Sequence, residues 1–421
     1  MEVKTTYFPT LLAVDAAARK LDGIASVTPL MKNLNYSNLF ENNIFFKRED
    51  LQQVRSYKIR GAYNKMSSLS SAEIDNGIVC ASAGNHAQGV ALSCKLLKIK
   101  GTIFMPAPTP NQKIEQVKMF GEDYIDVVLT GDSFDDAYHA SKIHAQKLSK
   151  TFIHPFNDEK VIEGQATVGL EIIDQAKQHP IHYVFVPVGG GGLSAGLSTV
   201  FKELSPLTKI IGVEPKGAPS MQTSIQNNRN TELRHIDNFV DGAAVKRVGD
   251  LNFAICKHNL HDMLTVDEGK ICQTILDLYN KEAIVAEPAG VLSIAALEQY
   301  AEEIKGKNVV CVVSGSNNDI TRTAEIKERA LLYANLKHYF IIKFPQRAGA
   351  LREFVVEILG PNDDITYFQY TKKTNRENGA AVVGLELKTS DDLQPLITKM
   401  KLHNFYGDYL NDKPDLFQFL V

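Results

Sequence analysis

The stretch YVFVPVGGGGLSAGLSTVF, residues 183–201, decides the fold. Its first five residues, Tyr183–Pro187, are apolar on both faces, which is typical of a strand buried in a parallel sheet. From Leu193 to Phe201 the apolar residues recur three and four positions apart, which predicts a helix. The stretch therefore predicts a strand, a loop of four glycines and a helix, the building unit of an α/β fold.

The same alternation of short strands and longer helical patterns extends over about the first 330 residues. Further buried strands are predicted at Ile44–Lys47, Gly77–Ala81, Lys100–Met105, Ile210–Val213 and Asn308–Val313. Such strands, separated by helices, predict open and mostly parallel sheets that helices cover on both sides. Because ligands bind at the carboxyl ends of the strands in such sheets, we expect the chemistry in the loops that follow the strands.

The pattern changes near residue 339 into that of a smaller α+β domain. A helical segment at Glu325–Lys337 precedes it. We therefore expect a first domain of two α/β subdomains at residues 1–325, a helical connector at 326–338 and a second domain at 339–421. The second domain is predicted to have the order β-α-β-β-α-β, with the elements Tyr339–Phe344, Ala350–Leu359, Ile365–Thr371, Ala380–Lys388, Leu393–Leu402 and Leu416–Val421.

Composition excludes several classes of protein. The 421 residues carry 46 basic and 49 acidic side chains, so there is no basic field to attract nucleic acid or an anionic membrane. No apolar run reaches the roughly 18 residues of a membrane span, and the first residues lack a signal-peptide pattern. The five cysteines form neither an even set nor a metal-binding spacing. We expect a cytoplasmic protein without nucleic-acid or membrane partners.

The tetraglycine loop, Gly189 to Gly192, is a candidate anion site. Glycines let a phosphate approach the backbone N–H groups, and the following helix adds the positive end of its dipole. A nucleotide P-loop is disfavoured because no Lys-Ser/Thr pair follows the glycines. Two kinds of ligand stay open for this loop. One is a phosphate-bearing cofactor, and the other is a dinucleotide bound by Gly190-x-Gly192-x-x-Ala195 with Glu214 at the next strand end.

A second loop, SAGNHAQG at residues 82–89, follows the strand at 77–81 and opens a helix. Its small residues expose backbone donors suited to a carboxylate, and Asn85 offers an amide that both donates and accepts hydrogen bonds. His86 is either a general base or only a residue at the start of the helix.

Two more segments carry reactive groups next to predicted strands. Lys58, in SYKIRGA at 56–62, lies just before an apolar helical pattern. A lysine at the end of an element can be desolvated, which lowers its pKa and makes the amine a nucleophile toward aldehydes. Ser314, in SGSN at 314–317, directly follows the strand at 308–313. Its hydroxyl is placed to meet a ring nitrogen at the ligand-binding edge of the sheet.

These four segments, in their order along the chain, resemble the fold-type II pyridoxal-phosphate enzymes. The order is SYKIRGA, SAGNHAQG, the tetraglycine loop and SGSN. Within that fold, residues 5–330 resemble the biosynthetic L-threonine dehydratases. Residues 339–421 resemble the ACT-like regulatory domain of that family. The resemblance implies pyridoxal 5′-phosphate as the cofactor.

The resemblance also implies a role for each matching residue. Lys58 would bind the cofactor covalently and carry out catalysis, with Tyr57 near the ring and Asn85 bonded to the 3′ oxygen. Ser314 would meet the pyridine nitrogen, and Glu287 in AEPAG would lie near the ring. The phosphate would be held by Gly189, Gly190, Gly191, Gly192 and Leu193, and the substrate carboxylate by the loop of Ser82, Ala83, Gly84 and His86.

The implied activity is the dehydration and deamination of L-threonine to 2-oxobutanoate and ammonia, the first step of isoleucine biosynthesis. The expected effector is isoleucine, acting as an inhibitor, and the expected assembly is a homo-oligomer, either tetramer or dimer. Ala83 stands where serine racemases have a serine, which speaks against racemisation. The segment 214–220 keeps one acid where those racemases bind a divalent cation, so we expect no metal.

Three alternatives stay open. A catabolic serine/threonine dehydratase or a serine-racemase-like enzyme would share the fold and the cofactor, and turnover of threonine against serine separates these. A nicotinamide oxidoreductase would use Gly190, Gly192 and Glu214, and its apoprotein would not absorb near the visible. A non-enzymatic amino-acid sensor would leave the four segments of the first domain unexplained.

Overall fold

The computed structural model describes residues 7–176, 179–370, 378–413 and 416–417. The chain divides into two compact units, residues 1–320 and 321–421. The strands in the described residues are β1 Leu30–Lys32, β2 Asn43–Arg48, β3 Ile78–Ala81, β4 Gly101–Met105, β5 Ile125–Leu129, β6 Thr151–Phe152, β7 Tyr183–Pro187, β8 Lys209–Pro215, β9 Asp262–Val266, β10 Asn308–Val313, β11 Lys337–Pro345, β12 Asp364–Tyr370, β13 Asn378–Glu386 and β14 Tyr406–Tyr409.

Most of the connections between these strands contain α-helices. The helices are α1 Leu11–Leu21, α2 Leu34–Leu39, α3 Lys58–Met66, α4 Ser71–Asn76, α5 Asn85–Leu97, α6 Asn111–Gly121, α7 Phe134–Lys147, α8 Glu159–Gln175, α9 Gly192–Leu204, α10 Ser220–Gln226, α11 Asp250–Asn259, α12 Glu268–Glu282, α13 Leu292–Ala295, α14 Ala301–Ile304, α15 Thr323–Tyr333, α16 Ala350–Glu353 and α17 Leu393–Leu402.

The first unit contains two sheets. The larger has six strands in the order β1-β2-β10-β7-β8-β9, all parallel except β1, which pairs antiparallel with β2. The smaller has four parallel strands in the order β5-β4-β3-β6. Helix α5 buries Ala87, Val90, Ala91 and Cys94 in one apolar cluster with residues of β3. The predicted α/β fold with mostly parallel sheets is therefore confirmed.

The topology brings the predicted loops to one edge of the larger sheet. Strand β10 lies between β2 and β7, with Val309 opposite Tyr183 and Val313 opposite Arg48. The three strands are parallel, so their carboxyl ends lie on the same side. The chain leaves β2 toward Lys58, β7 toward the tetraglycine loop and β10 toward Ser314.

The second unit has one antiparallel sheet in the order β12-β13-β11-β14. Helices α16 and α17 cover it, and α16 continues as a turn of π-helix at Phe354–Ile358. The described residues have the predicted order β-α-β-β-α-β, but residues 416–417 of the expected closing strand at Leu416–Val421 do not form a strand. The last strand of the described residues is β14, in which Tyr409 pairs with Phe340 of β11. Residues 416–417 are helical, and 418–421 lie outside the described residues.

Three further observations concern the classes considered from composition. All five cysteines are free thiols in buried positions. Over the described ranges, no helix is both long enough and apolar enough to cross a membrane. In the same part of the chain, no group of three or more His, Cys, Asp or Glu side chains is placed to hold a metal ion.

Candidate active site

Close backbone approaches bring the reactive segments together. Gly89 of α5 faces the backbone of Lys58, since a Cβ at this glycine would lie 3.1 Å from the Lys58 carbonyl carbon. The amide of Tyr57 donates to the Ser314 carbonyl at 3.3 Å, and the amide of Ser316 donates to the Arg55 carbonyl at 2.9 Å. The segments at 55–58, 85–89 and 314–316 are therefore neighbours, as the sequence predicted from their strand ends.

Lys58 lies at the first position of α3, with an amine that the protein desolvates. Its Nζ donates to the carbonyl of Pro155 at 2.9 Å and lies 5.3 Å from the centre of the Tyr57 ring. Part of the side chain reaches solvent, but the atoms packed around it lower the pKa of Lys58 to about 8 by desolvation, against the opposing pull of the Glu287 charge. A lowered pKa leaves more neutral amine at physiological pH, and neutral amine is the form that attacks a carbonyl.

The side-chain amide of Asn85 is hydrogen-bonded to two other side chains, those of Glu287 and Asn317. Its Nδ2 donates to Oε1 of Glu287 at 2.6 Å, and its Oδ1 accepts from Nδ2 of Asn317 at 2.6 Å. These bonds fix the orientation of the Asn85 amide and leave one Nδ2 hydrogen for a ligand. Burial raises the pKa of Glu287 to about 7, and the nearby charge of Asp241 adds to the effect. The site therefore contains a carboxyl group that can change protonation near neutral pH.

Replacing Glu287 with glutamine should remove a pH dependence of stability. The pKa of Glu287 is raised by folding from about 4.5 to about 7, so the folded state favours the protonated form. That stabilisation is complete below about pH 4.5 and disappears as the pH rises through 7. The difference in free energy of unfolding, Glu287→Gln minus wild type, should therefore rise by up to ~3 kcal/mol from pH 4 to pH 8. Urea denaturation of the two apoproteins measures it.

The exposed Glu115 provides a matched control, because Glu115→Gln alters the same kind of group at the surface beside Lys118. This variant should follow the wild-type pH profile. An unchanged profile in Glu287→Gln would contradict the assignment.

The tetraglycine loop, called the cradle below, is packed so closely by neighbouring residues that no Cβ fits at its glycines. A Cβ at Gly190 would lie 2.2 Å from the Phe156 ring, and one at Gly189 would lie 2.9 Å from Cα of Ala243. Gly191 has a φ of 88°, in the left-handed region that favours glycine. Helix α9 begins at Gly192, so its first-turn N–H groups and dipole face the loop. The backbone here suits a phosphate, and the buried Leu193 packs in the core beneath it.

Sequence reasoning missed a segment that touches several parts of the site, the loop Ile153–Asn157 after β6. Its Pro155 carbonyl binds Lys58, and its Phe156 ring lies against Gly190. Its Ile153 carbonyl contacts Nε2 of His86 at 3.0 Å. Strand β6 has only two residues, so no strand pattern directed attention to the loop after it.

The side chain of His86 is buried and hydrogen-bonded to the protein. The residue is 3 % exposed, and burial lowers the pKa of His86 to about 3, with the positive charge of Lys58 adding to the effect. A pKa this low makes the imidazole a weak base, and its Nε2 is engaged by the Ile153 carbonyl, which together disfavour the general-base alternative. Its backbone N–H, in the first turn of α5, is still placed to meet an anion.

The loop before α5 keeps the features that suggested carboxylate binding. Ser82 Oγ accepts from the amide of Gly84 at 3.2 Å, and the amide of Ser82 pairs with the carbonyl of Phe104 in β4. Residues 82–85 are partly exposed, and α5 begins at Asn85. A carboxylate approaching this loop would therefore meet the N-terminus of α5.

Two residues at strand ends have different environments. Ser314 is 3 % exposed, and its Oγ is 3.3 Å from the Ala289 carbonyl, a weak hydrogen bond that a better acceptor can replace. Glu214 is also buried, but its carboxylate accepts from the amides of Met221 and Gln222 at 2.7 and 2.9 Å. Glu214 therefore binds the start of α10, which removes the group that a dinucleotide ribose would need.

A desolvated lysine and a tetraglycine loop that both contact the loop Ile153–Asn157, in this parallel α/β fold, indicate a pyridoxal-phosphate-dependent enzyme. Residues 21–315 match the family described as pyridoxal-phosphate dependent enzyme, and residues 328–420 match the C-terminal regulatory domain of threonine dehydratase.

The chain is 53 % identical over 405 residues to L-threonine dehydratase biosynthetic IlvA of Halalkalibacterium halodurans, covering 96 % of this chain and 97 % of that one. It is 55 % identical over 394 residues to the Bacillus subtilis protein of the same name, covering 94 % and 93 %. The structure of the processed form of threonine deaminase isoform 2 from Solanum lycopersicum matches with a TM-score of 0.72 and 40 % identity, over 77 % of this chain and 96 % of that chain. The chain therefore belongs to the family of biosynthetic L-threonine dehydratases.

The cofactor of the family, pyridoxal 5′-phosphate, fits the residues present. The Lys58 amine is desolvated and partly accessible, as a group that bonds an aldehyde should be. The cradle and the N-terminus of α9 that follows it offer backbone N–H groups to a phosphate.

Proposed function

We propose that this protein dehydrates and deaminates L-threonine to 2-oxobutanoate and ammonia, as the first step of isoleucine biosynthesis. The water lost in the elimination is taken up again when the released enamine tautomerises and hydrolyses. The observation that carries the proposal is the desolvated Lys58 amine beside the Asn85 pair and the tetraglycine cradle. High identity to biosynthetic relatives over nearly the whole chain supports threonine as the substrate.

The proposed cofactor contacts follow the geometry of the site. Lys58 holds pyridoxal 5′-phosphate covalently, with the Tyr57 ring beside it. Asn85 donates its remaining Nδ2 hydrogen to the 3′ oxygen, and Ser314 meets the ring nitrogen. The phosphate is held by the backbone of Gly189, Gly190, Gly191, Gly192 and Leu193.

The proposed reaction uses few side chains. When bound, the cofactor supplies an electron-withdrawing ring that stabilises negative charge at the substrate Cα. Once the substrate amine has displaced Lys58 from the cofactor, the freed Nζ would take the Cα proton, since its lowered pKa keeps part of the amine neutral. The loop Ser82-Ala83-Gly84 and the first-turn amide of His86 hold the substrate carboxylate. Ser314 offers the ring nitrogen a neutral hydroxyl instead of a carboxylate.

The test of this function is an assay of the purified holoenzyme. L-threonine should yield 2-oxobutanoate and ammonia in equal amounts, and the protein should absorb near the visible. A higher kcat/KM for L-serine than for L-threonine would favour a catabolic serine/threonine dehydratase. Formation of D-serine would favour a racemase, and nicotinamide-dependent oxidation without absorbance would contradict the proposal.

We also propose the domain division and the cellular setting. Residues 1–325 form the catalytic domain, 326–338 the connector and 339–421 the regulatory domain, which the family matches at 21–315 and 328–420 support. The protein is cytoplasmic and forms a homo-oligomer, a tetramer or a dimer, without nucleic-acid or membrane partners. The balanced charge supports the lack of a nucleic-acid partner.

Removing residues 321–421 should abolish inhibition by isoleucine while threonine dehydration persists. In the second unit, β11 ends at Pro345 and α16 begins at Ala350 after Gly349, so the turn between them is placed to receive an amino-acid carboxylate. In the full chain, isoleucine should change the apparent affinity for threonine by about 5- to 150-fold. Initial rates over a grid of threonine and isoleucine concentrations measure this change.

Cofactor absorbance of the shortened chain is the control for its folding. If the shortened enzyme stays equally inhibited, or the full chain ignores every branched-chain amino acid, the regulatory proposal is wrong. An unregulated full chain would leave assembly as the role of the second domain.

A further inference from the structure

The peptide carbonyl of Gly190 is bound from behind the tetraglycine loop by helix α11. Asn252, the third residue of α11, is fully buried, and its Nδ2 donates to the Gly190 carbonyl at 2.7 Å. The same nitrogen is 3.1 Å from the carbonyl of Phe156, and the amide of Gly249 donates to the Gly190 carbonyl at 3.1 Å. One asparagine side chain thus joins the cradle to the loop Ile153–Asn157.

This contact sets the direction of the cradle amides. The Gly190–Gly191 peptide bond is trans, so the N–H of Gly191 points opposite to the Gly190 carbonyl. The next carbonyl, of Gly191, accepts from Ser194 Oγ at 3.0 Å and from the amide of Ala195 at 2.9 Å. Both carbonyls are therefore held by protein donors, and the N–H groups of the two following residues are directed the other way.

The packing of Asn252 also explains why residue 191 is a glycine. A Cβ at Gly191 would lie 2.9 Å from Cβ of Asn252, and the φ of 88° at Gly191 adds backbone strain for any other residue. Asn252 can therefore approach the loop this closely because residue 191 is a glycine and has no Cβ.

We infer that Asn252 is a positioning residue for the cofactor phosphate. By binding the Gly190 carbonyl on the side of α11, it keeps that oxygen from the phosphate and leaves the N–H groups of the cradle facing the anion. This inference rests on the proposed placement of the phosphate at Gly189–Gly192. Without the Asn252 donor, the Gly190 carbonyl keeps the Gly249 amide at 3.1 Å but loses its shorter hydrogen bond, so the peptide is held less firmly. A carbonyl oxygen turned toward a phosphate repels it. No direct contact between Asn252 and the cofactor is involved.

The experiment compares binding of pyridoxal 5′-phosphate and of pyridoxal, which lacks the phosphate, to the full-length apoprotein. Asn252→Ala should raise the Kd for pyridoxal 5′-phosphate about tenfold, the size expected for one lost hydrogen bond, and leave the Kd for pyridoxal unchanged. Asn252→Asp, which keeps the shape but places a carboxylate behind the cradle, should raise it further. This second variant also keeps the test open if Asn252→Ala does not fold.

Asn259→Ala is the matched control, because Asn259 lies on the same helix and donates to Thr199 instead of the cradle. It should leave both Kd values unchanged. Equal weakening of both ligands in the Asn252 variants indicates a general structural role and overturns the inference, as does no weakening at all.

Gly189→Ala separates this inference from the placement of the phosphate. Its Cβ would disturb the cradle directly by contact with Ala243. If Gly189→Ala keeps the wild-type preference for pyridoxal 5′-phosphate over pyridoxal, the phosphate lies elsewhere and both proposals fail. If it reduces the preference while the Asn252 variants do not, only the inference about Asn252 is overturned.

Discussion

Lys58→Ala should reduce threonine dehydration by about 10³-fold or more and should remove the covalent bond between protein and cofactor. Nζ of Lys58 is the desolvated amine of the site, with a pKa lowered to about 8, and no methyl group can replace it as a nucleophile or as a base. The checks are the rate of 2-oxobutanoate formation and the mass of the protein after borohydride reduction. Wild type should gain the cofactor mass on the peptide that contains Lys58, and the variant should not.

Lys65→Ala is the matched control for this experiment. Lys65 lies on the same helix, α3, and its amine pairs with the Asp158 carboxylate at 2.9 Å. The control should keep both the covalent cofactor and the activity. If Lys58→Ala still carries cofactor after reduction, the lysine assignment is wrong and another amine holds the aldehyde.

The site could be predicted from the sequence to the extent that its groups follow buried strands. Lys58, Gly189 to Gly192 and Ser314 each come after a strand of the larger sheet that the sequence predicts as buried, and parallel strands end at one edge. The loop Ile153–Asn157 could not be found this way. It acts partly through the carbonyls of Ile153 and Pro155, and every residue has a carbonyl, so the sequence carries no signal for it.

Asn252 was missed for a related reason. It lies on α11, beyond a long irregular stretch that follows α10, and only the tertiary fold brings this helix behind the cradle. A buried asparagine on a helix has no pattern of its own, because its partners are backbone carbonyls far away in sequence.

The fold was predicted best where strands are central and buried. Strands β7 and β10 have the predicted bounds, but β1, β5, β6 and β9 were missed because they are short or half-exposed. Strand β14 was not predicted either, for a similar reason. Strand β14 is the half-buried Tyr-Gly-Asp-Tyr, whose glycine and aspartate have low strand propensity, and pairing with β11 overrides that preference.

A largely buried network of four charges includes Arg60 of α3, the helix that carries Lys58. Arg60 makes a two-pronged contact with the Glu49 carboxylate, at 2.8 Å for each pair, and donates to Glu171 at 2.6 Å. Lys47 donates to the other oxygen of Glu171 at 2.5 Å. Burial alone would raise the pKa of Glu49, but the Arg60 guanidinium holds it below its ordinary value. Two positive and two negative groups thus balance each other inside the protein.

Arg60→Met should lower the free energy of unfolding by about 3–5 kcal/mol, the cost of leaving one partner of a buried ion pair without its counter-charge. The buried Glu49 and the partly buried Glu171 would then have one nearby cation of the network, Lys47, for two carboxylates. Urea denaturation of the full chain at pH 7.5 measures the change. Arg247→Met is the matched control, because Arg247 pairs with Asp250 at the surface, where an ion pair contributes about 1 kcal/mol or less.

The pH dependence of this loss identifies its cause. Because the pKa of Glu49 is lowered in the folded protein, its pairing stabilises wild type above the unfolded pKa and is lost as the pH falls through the folded pKa. The difference between wild type and Arg60→Met should therefore shrink below about pH 4.5, and Glu49→Gln added to Arg60→Met should recover part of the loss at pH 7.5. A difference that stays constant with pH, without recovery in the double variant, would mean that Arg60 stabilises α3 through the packing of its side chain and not through its charge.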